Sequence, residues 1–189
     1  MKTKIIIIHG NQGGTGNDAW IPWLKNELEQ RGFLVENPTM PDNHEAKQSI
    51  WLPYLKDKLG ADENTIIVGW SSGAVAAMRY AEEYPILGSV LIGACYTDLG
   101  DDIEKVSGYY DKPWNWELIK SNQKWLAQFA STDDPVIPTD ESRFIHEKLG
   151  TEYYEFNDKK HFGWPDPMPE FPEALEVIVR NCNRTPGNN

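Results

Sequence analysis

TIIVGWSSGAVAAMRYAEE, residues 65–83, is the stretch that decides the fold. It opens with a β-branched run over 65–70 and closes with an alanine-rich run over 72–83. The first predicts a buried strand, the second a helix. Between them, Gly69-Trp70-Ser71-Ser72-Gly73 fits G-x-S-x-G, and its position between strand and helix is the context a nucleophile elbow requires. The chemistry accounts for the residue types. The serine must sit on a sharp turn so that its hydroxyl stands above the sheet edge. Bulk two residues either side would collide with backbone. The following helix directs its N-terminal amides at developing negative charge. Ser71 is thus the expected nucleophile, and the Ser72 N–H the first expected oxyanion donor. A tight turn that merely contains serines is the ordinary alternative, and the strand–helix context weighs against it.

Working outward, strand-like and helix-like segments alternate, the pattern of a parallel sheet flanked by helices. Strands are expected over 4–9, 33–37, 65–70, 88–94, 125–130 and 152–156. Helices are expected over 18–30, 49–59, 72–83, 139–149 and 170–180. The expected fold is α/β, a three-layer α/β-hydrolase-like sandwich with about six parallel strands. A single domain is expected over 1–189, with 185–189 as a flexible tail. Sites in such sheets lie at the carboxyl ends of strands.

A serine nucleophile needs a base, and an acid to orient the base. In the order Ser, acid, His, only His146 and His161 of the four histidines follow Ser71. His146 falls within an expected helix, where packing is the better account. His161 follows the sixth strand in Asp158-Lys159-Lys160-His161-Phe162-Gly163, where a base should lie. The acid should follow the fifth strand, and Asp134 of Asp134-Pro135-Val136-Ile137-Pro138 is favoured. Asp133 is the alternative, with turn capping as its other role. Asp140 belongs to the start of the next helix.

After the first strand comes His9-Gly10-Asn11-Gln12-Gly13-Gly14. Its glycines let backbone amides approach a substrate, and the Asn11 N–H is the expected second oxyanion donor. A phosphate loop would need a GK[ST] ending or G-x-G-x-x-G, and neither is present. His9 is expected to support this loop. The excursion 96–122 holds Tyr109, Tyr110, Trp114 and Trp116. These aromatics, with Trp70, are candidates for substrate binding as walls of a small apolar pocket. Packing the excursion onto the body is the equal alternative.

Composition narrows the function classes. The formal net charge of −11 disfavours broad attraction to nucleic acid or an anionic membrane. The run Ile5 to Ile8 is too short for a signal peptide, and no apolar stretch approaches the roughly 20 residues of a membrane helix. Cys95 and Cys182 have no metal or redox spacing. A cytoplasmic protein is expected, acting without cofactor or metal on a small molecule or short peptide.

Several segments together resemble one family. They are residues 43–55 (NHEAKQSIWLPYL), 65–81, 107–116 (SGYYDKPWNW) and 131–138. The chain resembles the small serine hydrolases that include retinoblastoma-binding protein nine and bacterial YdeN-type proteins. The resemblance implies a six-stranded parallel sheet without the first two strands of larger α/β hydrolases. It also implies a Ser-Asp-His triad at Ser71, Asp134 and His161. Trp70 stands where the family often has histidine. A retinoblastoma-binding L-x-C-x-E segment would fall at Leu59-Gly60-Ala61-Asp62-Glu63, which lacks the cysteine, so such binding is not expected. The reading is a serine hydrolase acting on a small acyl ester or amide through an acyl-enzyme. Its rivals are a binding protein on a hydrolase fold and an acyltransferase to an acceptor other than water.

Overall fold

Six short strands build one sheet in the computed structural model, which describes residues 3–184. The tail expected over 185–189 lies outside the described residues. The strands are β1 (Lys4–Ile8), β2 (Leu34–Glu36), β3 (Thr65–Trp70), β4 (Gly88–Ile92), β5 (Trp125–Ser131) and β6 (Glu152–Phe156). Their order is β2-β1-β3-β4-β5-β6, and every neighbouring pair is parallel. The architecture is the α/β sandwich expected from the alternating pattern.

Period-two side-chain alternation sends each strand's residues to both faces. Ile6 and Ile8 join one core with Ile67, Leu91, Val75 and Met78. Ile5 and Ile7 join the other with Ile66, Val68, Leu24 and Ile178. Burial on both faces is why these strands read as continuous apolar runs. Each fully buried Ile contributes roughly 1.5–3 kcal/mol of transfer free energy. One face is covered by α2 (Gln48–Pro53), α3 (Ser72–Glu83), α5 (Trp116–Ser121) and α6 (Thr139–Leu149), while α4 (Asp102–Ser107) lies in the excursion after β4. The other is covered by α1 (Ile21–Gln30) and α7 (Pro172–Arg184).

Three helices depart from their expected spans, the last running over Pro172–Arg184 and not 170–180. The helix expected from residue 18 begins at Ile21 because the Asp18 carboxylate accepts from Thr15 N and Thr15 Oγ1, both at 2.7 Å, closing a turn first. The helix expected over 49–59 is α-helical only to Pro53 and continues as a π turn over Tyr54–Lys58. Proline lacks an N–H and crowds the carbonyl one turn back, so the ladder slips by one residue.

The strand order reverses between β1 and β3, the crevice where ligands bind in open α/β sheets. The loops after β1 and β3 leave the sheet side by side there, with Ile8 opposite Gly69.

Candidate active site

At the end of β3 the backbone turns sharply at Ser71, with φ 57° and ψ −122°, a conformation L-residues avoid. Neighbouring structure enforces it. Ser71 N donates to Ile92 O at 2.8 Å, while Ser71 O accepts Ala74 N at 2.8 Å as α3 begins. A Cβ at Gly69 would run into the carbonyl of Gly73, and one at Gly73 into the carbonyl of Ile8. Both outer positions of the motif therefore need glycine because backbone passes against backbone.

Asp134 and His161 meet from two different loops. Asp134 Oδ1 accepts Val136 N at 2.8 Å and Ile137 N at 3.0 Å. That fixes the carboxylate so that Oδ2 lies 2.8 Å from His161 Nδ1. Both side chains are nearly buried. A carboxylate only accepts, so Nδ1 carries the proton and Nε2 of the neutral ring is left as a proton acceptor. Asp133, the alternative acid, is engaged elsewhere. It accepts Ser131 Oγ at 2.6 Å and Lys160 N at 2.9 Å, and these bonds, led by that from Ser131, lower its pKa. His146 stacks on Tyr153 and contacts Thr151 Oγ1 at 3.0 Å, as a packing residue does.

The loop after β6 that carries His161 is tied at its backbone. Trp70 Nε1 donates to His161 O at 3.0 Å, and Trp20 Nε1 to Phe162 O at 2.9 Å. His161 N donates to Trp164 O at 3.0 Å. Trp70, expected as a pocket residue, therefore both lines the cleft and holds the histidine loop.

The loop after β1 lies beside the serine. A Cβ at Gly10 would stand 3.6 Å from Ser71 Oγ. His9 is buried beneath this loop, with Nδ1 2.6 Å from Gly10 O and Nε2 accepting Met40 N at 2.8 Å. Burial lowers its pKa and keeps the ring neutral, as both bonds require. The backbone N–H groups of Asn11 and Ser72 find no acceptor among the described residues. Their side chains converge instead on Glu104 of α4. Asn11 Nδ2 donates to Glu104 Oε1 at 2.6 Å, and Ser72 Oγ to the same oxygen at 3.2 Å.

Ser71 and His161 line one cleft of about 480 Å³, with Trp70, the Gly10–Gly14 loop, Val136 and Trp164 around them. Val136 and Trp164 are exposed, Trp164 by 54%, and form an apolar rim. Larger hollows of about 670 and 590 Å³ lie elsewhere and contain neither residue. Among the described residues, no three His, Cys, Asp or Glu side chains come together as a metal site.

The expected pocket wall of Tyr109, Trp114 and Trp116 is corrected. None of the three borders this cleft. Tyr109 is fully buried, and Trp114 and Trp116 stack on each other against the core under the excursion. The cause is Arg79 of α3, itself buried. Its Nε donates to Tyr109 O at 2.8 Å and one terminal nitrogen to Lys112 O at 2.6 Å. Its guanidinium lies 3.6 Å over the Trp114 ring. This anchor draws the aromatics onto α3. Glu104 carries no local sequence signal. It stands in an acidic run with Asp98, Asp101 and Asp102, and only the tertiary fold shows that it alone turns inward toward Asn11 and Ser72.

A family profile described as "Serine hydrolase" matches residues 5–180. The chain is 43% identical to the rat (Rattus norvegicus) protein "Serine hydrolase RBBP9" over 178 residues, covering 93% of this chain and 94% of that protein. It is 24% identical over 183 residues to "Putative hydrolase YdeN" of Bacillus subtilis strain 168, covering 95% and 96%. The crystal structure of the B. subtilis ydeN gene product superposes with a TM-score of 0.85 at 23% identity, over 97% of this chain and all of that one. The strained serine turn at the switch point and the match along nearly the whole chain lead to one conclusion: this chain belongs to the serine hydrolase family.

Proposed function

We propose that the chain hydrolyses a small acyl ester, amide or short peptide through an acyl-enzyme, with Ser71 as nucleophile, His161 as general base and Asp134 as the acid that orients it. The observation that carries this reading is the sharing of one cleft by the strained Ser71 and the Asp134-bound His161. In the first half, His161 Nε2 takes the Ser71 proton as Oγ attacks the carbonyl carbon. The N–H groups of Asn11 and Ser72 hold the resulting oxyanion. Collapse expels the alcohol or amine, which receives the proton from His161. Water then repeats the sequence and frees the acid, with Asp134 stabilising the imidazolium in both halves.

The open cleft and its short apolar rim favour compact acyl groups over long chains. Treating wild type and Ser71→Ala with a fluorophosphonate probe tests the assignment. Labelling of wild type and its loss in Ser71→Ala is the expected result. Equal labelling of the two, or none of either, overturns it.

A further inference from the structure

The cleft has a feature behind it that the triad does not use. Helix α4 is N-capped by Asp101, whose Oδ1 accepts Ile103 N at 2.8 Å and Glu104 N at 3.1 Å. The cap starts α4 at Asp102 and so places Glu104 in its first turn, where its side chain meets Asn11 and Ser72. Glu104 Oε1 accepts Asn11 Nδ2 and Ser72 Oγ, while Oε2 accepts the Tyr110 hydroxyl at 3.0 Å. Tyr110 in turn sits 3.2 Å from Cys95 Sγ, just past the end of β4. One carboxylate thus joins the loop after β1, the first residue of α3 and the excursion after β4. An ionised carboxylate is acceptor-only with room for about four donors, so all three can point at it together.

This matters because of which residues are joined. Resting on the mechanism proposed above, we propose that Glu104 is a positioning residue, which holds the Asn11 and Ser72 amides at the spacing an oxyanion requires. Backbone bonds hold each segment separately, Gly14 N to Asn11 O at 3.1 Å and Ser71 N to Ile92 O at 2.8 Å, whereas the Glu104 carboxylate bonds Asn11 and Ser72 together. Asn11 lies in a glycine-rich loop, and Ser72 follows the strained residue. Oxyanion donors act only when they lie about 2.7–3.1 Å from the developing charge, and removing one costs about 10²–10³ in kcat. A looser donor pair costs less than a missing one. The loss falls on the transition state, because ground-state substrate rests on the cleft walls and not on the amides. It therefore appears in kcat while KM stays nearly constant.

The test compares wild type, Ser71→Ala, Glu104→Met and Glu104→Gln on p-nitrophenyl acetate. Active sites are counted by the fluorophosphonate end point, so that kcat is per competent site. Met has similar length but offers no comparable acceptor. Gln keeps one acceptor oxygen for Asn11 and Ser72 but turns the Tyr110 contact around. Glu104→Met is expected to lower kcat about 30-fold with KM within about twofold, and Glu104→Gln to lower it about three- to fivefold, a measurable loss well short of that of Glu104→Met. Binding of phenylboronic acid, which forms a tetrahedral adduct on the serine, is expected to weaken in step with kcat/KM.

A Glu104→Met enzyme with fewer titratable sites but unchanged kcat per site would mark a packing residue and overturn the proposal. If Glu104→Met does not fold, Glu104→Gln decides alone, and an unchanged kcat overturns the proposal. Ser71→Ala separates the two levels. Full activity in Ser71→Ala removes the triad reading itself. An inactive Ser71→Ala beside an unimpaired Glu104→Met removes only the role of Glu104.

Discussion

The two flanks of the cleft are held in place by different physics. On the His161 side, neutral indole N–H groups of Trp70 and Trp20 donate to backbone carbonyls, and the rings pack in the core with Phe171 and Phe162. On the Asn11 side, a partly buried carboxylate gathers three donors, and a buried histidine must stay neutral to accept Met40 N. The backbone of the first flank rests on packing and uncharged indole bonds, with the Asp134 and Asp133 carboxylates as its charged contacts to His161 and Lys160. The second rests on ionisable groups, whose burial is tolerated only while each keeps its partners. Aromatic ties hold the backbone of one flank, and a single shared carboxylate gathers the other.

Substitutions on each flank can break or sharpen this contrast. The largest effect is expected from Asp134→Asn. Its carbonyl oxygen would keep the Val136 and Ile137 amides, leaving the NH₂ facing His161 Nδ1. That demands the opposite imidazole tautomer, so kcat is expected to fall about 10³–10⁴-fold with little loss of stability, measured by steady-state ester hydrolysis and thermal melts. A fall of less than tenfold would mean that the base is oriented by something else.

Trp70→Phe comes next. It leaves the His161 carbonyl without its indole donor and opens space in the core, costing about 1–3 kcal/mol of stability by denaturant titration. Activity should fall only a few-fold, because the Trp20 tie and the Asp134 bond persist. A loss of kcat as deep as that of Asp134→Asn would show the indole to be as decisive as the carboxylate.

The smallest effect is a pH dependence of stability on the charged flank. Burial raises the Glu104 pKa; donation from Tyr110, Ser72 and Asn11 offsets this in part, and repulsion from Asp101 adds to it. The folded protein therefore holds the Glu104 proton more tightly than the unfolded chain does. The stability this residue contributes is present at acidic pH and is lost as pH rises through its folded pKa. Glu104→Gln has no such loss. Its Tm relative to wild type is expected to climb from pH 4 to pH 8, while its kcat stays below wild type. A constant Tm gap across that range would contradict the burial of a charge at this position.

What was legible in the sequence follows the range of the forces involved. Strands β3 and β6 and helices α3 and α6 match their expected spans because local periodicity and capping set them. The serine turn was legible because two glycines must stand where backbone crosses backbone. Asp133 and Asp134 were not separable by spacing. What distinguishes them is that Ser131 and Lys160 capture one, while two backbone amides aim the other at His161. Pocket wall and packing were not separable for the aromatics of the excursion, because their direction depends on Arg79, a buried cation on α3. Glu104 was invisible because its two partners on the cleft lie 93 and 32 positions away along the chain.

Arg79 has a consequence for how this protein can vary over time. It grips the excursion through the carbonyls of Tyr109, Lys112 and Pro113, groups that every amino acid carries. Exposed positions such as Asp111 and Lys112 are thus free to drift in sequence without releasing the strap from α3. The outer surface of this region can therefore change its side chains without loosening its attachment to α3.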